Sequence, residues 1–451
     1  MSIAIIVLIA IIHFYIYDHF WFLRLLGMEL NNPKINLIFL LTLFYIAAIH
    51  QLAVSIKTEH GEKISQTGKQ LVVPIFLYFI LGIFTVILHE PDFDSIKRYF
   101  FYLFTPVMVS LSVFAIFRDN EKIKKTLFVL FLLGIILSAY STVLHIKMKT
   151  DLMGVYHIFN PWVENQDMTL SYLSRLSIPG LGASNLPSML TSLILAGIYF
   201  FKNSGGKVRY FYAVASLFLF YNIIITSTRG AFVSLLSGMI YLFVKGWFKY
   251  KRPLFAISVS LLIVFIFYFN TGLLLRLLST VNQFVPSLGK LDTIRGLLNI
   301  AEKTGYHVID TDGKETRYLY LIDAFQYFKN NPLLGSGYTF FTASQEAAFG
   351  GGGGHNTFFV LLVQGGLVVL VPLVFFIFSI YHNCSDILRK KLYKDALSKD
   401  LGIVLIAILL SYTVDQMFTP GFFHNYWLWF GFAAAWARNC EMEYRAQSRL
   451  S

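Results

Sequence analysis

The sequence predicts an all-α, polytopic integral membrane protein with about twelve transmembrane helices and one long extracytoplasmic loop containing short helices. Three observations carry that reading. The 451 residues are 56% hydrophobic and 14% charged, whereas a soluble domain is about 45–50% apolar and about 25% charged. One apolar run after another reaches the roughly 17–25 residues a helix needs to cross the hydrocarbon core. The 37 Lys and Arg residues fall between these runs. A net charge of +12 invites a nucleic-acid partner, but that requires basic residues gathered on one solvated face; scattered between apolar runs, they argue for no nucleic acid.

Hydropathy places spans near residues 2–17, 35–55, 71–89, 99–117, 126–145, 183–201, 210–226, 231–244, 253–269, 356–380, 401–417 and 422–437. The first run has no basic residue before it and no small-residue cleavage site after it, so it is expected to be a retained helix. The chain then divides into transmembrane helices 1–9 over residues 1–269, the long periplasmic loop over 270–355, and helices 10–12 with a short cytoplasmic tail over 356–451. Positively charged residues near short loops stay on the cytoplasmic side. With both termini cytoplasmic, 22 of the 37 basic residues are inside, eight are in the shorter outer segments and seven are in the long loop. Cys384 and Cys440 then face the reducing side, which argues against a disulfide.

Chemistry is expected in three places. Thr226-Ser-Thr-Arg229-Gly-Ala231 joins two spans by a few residues and so holds Arg229 at the outer membrane edge; snorkelling toward headgroups is the plain alternative. In the long loop, Arg317-Tyr-Leu-Tyr-Leu-Ile-Asp-Ala-Phe-Gln-Tyr-Phe328 puts Leu321, Phe325 and Phe328 on one helical face. Asn331-Pro332 ends that amphipathic helix, and Gly335-Ser-Gly337 permits a tight turn. Five glycines, Gly350 to Gly354, then run into His355-Asn356 at the start of the tenth span. They permit close approach of the backbone to a ligand, or serve as a plain connector. No Gly-Lys-Ser/Thr follows them, so they are not a P-loop.

Ser227-Thr-Arg229-Gly-Ala231, Arg317 with Asn331-Pro-Leu-Leu-Gly335-Ser-Gly337, and His355-Asn356, in that order and topology over roughly residues 180–380, resemble the O-antigen ligase and polymerase superfamily of bacterial membrane glycosyltransferases. The resemblance implies an undecaprenyl-diphosphate-linked oligosaccharide donor, a glycan or glycolipid acceptor, and an active site at the periplasmic face of the inner membrane, with surrounding membrane lipids and no cofactor or metal. Arg229 and Arg317 match the family arginines that hold the diphosphate. His355 matches the histidine that activates the acceptor hydroxyl. Residue chemistry points the same way: histidine, with a reference pKa near 6.5, is suited to take a sugar hydroxyl's proton, and arginine forks match phosphate oxygens.

Arg175 and Asn356 are second-tier substrate contacts; Arg276, Arg295 and Lys303 rank behind them. Asp415, near the end of an apolar span, is a candidate because ionisable residues inside membranes are costly to keep; it orients His355, binds acceptor sugar, or simply reaches water. His89 and His424 have the same standing, and Trp427 and Trp429 are read as interfacial anchors. Repeat-unit polymerase is favoured over ligase, and it adds a chain-length regulator protein as a partner. Two rivals remain: a metal-dependent transferase using Asp92-Phe-Asp94, and a lipid-linked sugar flippase, which needs midplane charges.

Overall fold

The computed structural model describes residues 66–89, 103, 107–148, 185–226, 229–247, 325–337, 356–417 and 424–448. Every regular element among them is an α-helix: α1 Gln66–His89, α2 Val107–Ile116, α3 Asn120–Met148, α4 Asn185–Asn203, α5 Gly206–Thr226 and α6 Arg229–Val244. A short helix α7 (325–330) follows, then α8 Thr357–Lys390, α9 Ala396–Asp415 and α10 His424–Ser448. Helices close every backbone hydrogen bond within one segment, which hydrocarbon demands. Four of them, α3 (over Asn120–Val143), α5, α8 and α9, are long and apolar enough to cross a membrane; Val73–His89, Val107–Ile116 and Gly230–Val244 are shorter apolar helices. Nine of the twelve expected spans meet a described helix, and 2–17, 35–55 and 253–269 lie outside the described residues.

The centre of the bundle is α9, which packs against α4, α6, α8 and α10. From Leu401 to Leu409 each of its residues is buried, as expected for a helix apolar all round. Close approach to α10 uses Gly402, where a Cβ would run into the Trp436 ring. Outer helices keep apolar faces uncovered: Val73, Phe76, Leu77, Ile80, Phe84 and Ile87 on α1, and Tyr210, Phe211, Val214 and Leu217 on α5 are exposed. Faces that continuous are rare on soluble monomers and suit lipid chains.

α9 runs antiparallel to α4, α6, α8 and α10, so the bundle has two chemically distinct ends. The end of α4 meets the start of α9 where Lys202 Nζ lies 2.7 Å from Asp400 Oδ1. That end also holds Lys122, Lys124 and Lys125 at the start of α3, Lys207 and Arg209 at the start of α5, and Arg389 to Lys391 at the end of α8. At the other end, the start of α4 meets the end of α9 through Ser188 and Asp415.

Several expectations are corrected. Trp427 and Trp429 are fully buried and are not interfacial anchors; Trp427 stacks on Phe376 at 5.7 Å and meets Tyr78 at 5.8 Å, filling the core between α10, α8 and α1, and Trp429 meets Tyr412 of α9 at 6.5 Å. The tenth and twelfth spans were expected to stop at 380 and 437, yet α8 continues to Lys390 and α10 to Ser448. Hydropathy ends α10 at Arg438 because of its charge. That residue is only 7% exposed, because its guanidinium donates to Phe114 O at 2.6 Å and Phe117 O at 2.9 Å, satisfying carbonyls at the end of α2 that have no helical partner. Cys384 and Cys440 are both buried free thiols.

Candidate functional site

Arg229 is the first residue of α6, three residues after the buried Thr226 that ends α5. Ser234, one turn into α6, is tied to α9: its carbonyl accepts from Ser411 Oγ at 2.7 Å. The start of α8 is fixed to the same helix. Thr357 N–H donates to Gln416 O at 3.0 Å and Thr357 Oγ1 to Gln416 Oε1 at 3.1 Å. Asp415, 1% exposed, precedes that glutamine, and its Oδ2 accepts from Ser188 Oγ at 2.6 Å. Tyr426, near the start of α10, meets Thr413 through their hydroxyls at 2.9 Å. The starts of α4, α6, α8 and α10 thus gather round the end of α9.

Asn356 is the N-cap of α8. Its backbone is extended (φ −136°, ψ 108°), and its side-chain oxygen accepts from Phe358 N at 3.0 Å and Phe359 N at 3.2 Å. Asparagine is favoured there because it satisfies N–H groups that have no partner inside the helix. The residue put forward as a substrate contact therefore sets the start of the helix that His355 immediately precedes in the chain. His355, Arg317, Arg175, Asp92 and Asp94 lie outside the described residues.

The expected helix stop at Asn331-Pro332 is present: α7 ends at 330, and Gly335 and Gly337 adopt φ of 73° and 88°. What the turn does was missed. α8 is broken at Gly366 (φ 63°, ψ −165°), and the 332–337 segment fills the break. Ser336 N–H donates to Val363 O at 2.7 Å and Gly337 N–H to Gln364 O at 3.1 Å, while Leu367 N–H donates to Pro332 O at 3.0 Å and Val368 N–H to Leu333 O at 3.1 Å. The two chains meet so closely that a Cβ on Gly335 would sit 2.5 Å from Gln364 O, and one on Gly366 would collide with Leu333 O. The Gln364-Gly365-Gly366 doublet was the available signal, since glycine inside an apolar helical pattern marks a weak or special point.

The fold and this end of the bundle define a class: a helical membrane protein whose polar side chains collect where several helices begin. Residues 214–374 match the family model described as O-antigen ligase. The matched stretch runs from within α5 into α8 and contains Arg229, Arg317, the 331–337 segment, His355 and Asn356, so the similarity to the O-antigen ligase family spans all three motifs. Comparison with curated proteins gives no match.

Proposed function

We propose that this chain is a metal-independent membrane glycosyltransferase that moves an undecaprenyl-diphosphate-linked glycan onto an acceptor sugar hydroxyl at the periplasmic face, as a repeat-unit polymerase. The observation that carries the proposal is the O-antigen ligase match over 214–374, two of whose motifs, at Arg229 and at His355-Asn356, adjoin helix starts gathered at one end of the bundle. Ligase activity toward lipid A core sugars is the alternative within the same chemistry.

In the proposed reaction, His355 takes the proton of the acceptor hydroxyl as its oxygen attacks the anomeric carbon. The bond from that carbon to the diphosphate oxygen breaks, and undecaprenyl diphosphate leaves with the electron pair. Direct displacement inverts the anomeric centre. Arg229 and Arg317 balance the charge growing on the diphosphate, with donors fixed in advance of the reaction. Helix N-termini carry partial positive charge, so the gathered starts of α4, α6, α8 and α10 favour an anionic group at this end. Asp415 is assigned as a positioning residue: Gln416, next in sequence, anchors Thr357 two residues beyond His355. Arg175 is assigned to the same donor site. Both termini are assigned to the cytoplasm, where the basic residues at the opposite end of the bundle agree with the charge rule.

The test replaces His355, Arg229 and Arg317 singly by Ala in the parent bacterium and reads the surface glycan by banding. Normal glycan from all three variants sinks the catalytic reading. Loss of long chains with a single repeat still attached assigns polymerase, and loss of every attached repeat assigns ligase.

A further inference from the structure

The Asn331-Pro-Leu-Leu-Gly335-Ser-Gly337 motif and the Val363–Val368 stretch of α8 are held together through their backbones. Four hydrogen bonds cross the junction, two in each direction, and none involves a side chain. A helix broken inside an apolar segment leaves carbonyls and N–H groups that hydrocarbon does not satisfy, so such a break survives only where other protein fills it. Here the filling is supplied by the motif. Gly335 and Gly366 both have left-handed φ, and a Cβ on either strikes the other chain's backbone rather than a side chain that can rotate away. The fit therefore leaves no room for sliding or for side-chain substitution at these two points.

The junction has a consequence for the residues on either side. Arg317 is fifteen positions before Pro332 in the chain, and His355 is nine positions before Gln364. Gly337, bonded to Gln364, and Asn356, the cap of α8, are thus both held to one helix, and in the chain they bracket the five glycines and His355.

We propose that the junction is a permanent brace that sets the spacing between the Arg317 side of the site and the His355 side, with Gly335 and Gly366 as positioning residues; this rests on the functional reading given above. The brace stays closed through the reaction. Its loss leaves donor and acceptor groups attached to the chain but misaligned, and a misplacement of about 1 Å costs on the order of a hundredfold in rate.

The experiment uses the full-length protein in lipid nanodiscs, with undecaprenyl-diphosphate-linked repeat unit extracted from parent cells as the probe. The variants are Gly335→Ala, Gly366→Ala and Leu367→Pro. The last removes the Leu367 N–H that donates to Pro332 O and puts a ring carbon in its place, so it forces the junction open from the α8 side, at the first position of the second half of α8, where helices accept proline. The readout is the ratio of glycan transferred to acceptor over glycan released to water, which does not depend on how much protein is folded. The ratio is expected to fall by at least about tenfold in all three variants, given the cost of misalignment. Amide exchange at Ser336, Gly337, Leu367 and Val368 is expected to be slow in the wild type, with and without donor, and faster in the variants, read at Ser336, Gly337 and Val368 in Leu367→Pro.

An unchanged ratio in all three variants, or exchange at these amides that quickens when donor is added to the wild type, overturns the brace. Failure of the functional reading looks different: His355→Ala would then transfer like the wild type, whatever the glycine variants do.

Discussion

Both ends of the bundle bury polar groups, but they use them differently. At the basic end the groups satisfy one another. Asn120 Nδ2 donates to Ser398 Oγ, Asn439 Nδ2 donates to Phe117 O and Asn120 Oδ1, Trp436 Nε1 donates to Ser398 O, and Arg438 reaches two carbonyls of α2. Lys202 is paired with Asp400 and lies over the Trp247 ring at 4.2 Å. At the other end the polar groups fix where helices begin: Asn356 caps α8, Gln416 holds Thr357, and Asp415 accepts from Ser188. The first arrangement closes a structure. The second fixes the starts of α4 and α8, the helix that His355 precedes in the chain.

That contrast is open to attack from both sides. Replacing His355 by Ala should cost the most, about 10²- to 10⁴-fold in transfer if it is the general base, with thermal unfolding unchanged; an equal loss of folded protein would place His355 among the structural groups. Arg229→Ala and Arg317→Ala should each cost on the order of 10²- to 10³-fold, the scale seen when one donor to a developing anion is removed. Lys at either position should rescue only in part, because it lacks the forked geometry. At the basic end the pattern should invert: Arg438→Met takes the donor from Phe114 O and leaves Phe117 O to Asn439 alone, and should lower stability by about 1–3 kcal/mol, read by thermal melting, while transfer per folded molecule stays the same. Asn356→Ala should remove about 1 kcal/mol of α8 stability, and Asn356→Ser should restore most of it by circular dichroism melting. Finally, EDTA should leave transfer by the purified protein unchanged; loss with recovery on adding a divalent cation would favour the Asp92-Phe-Asp94 alternative.

Much of the helical architecture was legible because lipid imposes a length and a polarity on each segment. Spans at 71–89, 183–201, 210–226, 231–244 and 401–417 meet helices with ends within a few residues. Misreadings arose where a tertiary partner overrules composition. Arg438 ends an apolar run by hydropathy, but the end of α2 supplies carbonyls that make its burial acceptable. Trp427 and Trp429 have the composition of an interface belt, yet Tyr78 and Phe376 on other helices enclose Trp427 in the core. Motif order carried the family resemblance over roughly residues 180–380, and the O-antigen ligase match covers 214–374. The break in α8 and its filling by the 332–337 segment were not legible, because hydrogen bonds between backbones thirty residues apart leave no side-chain pattern beyond the glycines that permit them.

The central position of α9 also bears on biosynthesis. It is the next-to-last described helix to leave the ribosome, yet it fills the space between α4 and α6, which are made some two hundred residues earlier. Until residues 396–415 arrive, the earlier helices must either hold a vacant seam or close over it temporarily and reopen. The Ser188 hydroxyl has to wait in lipid for the α9 carboxylate it donates to, so a chain halted before α9 should be a substrate for membrane quality control, even though every residue of its first eight described helices has been made.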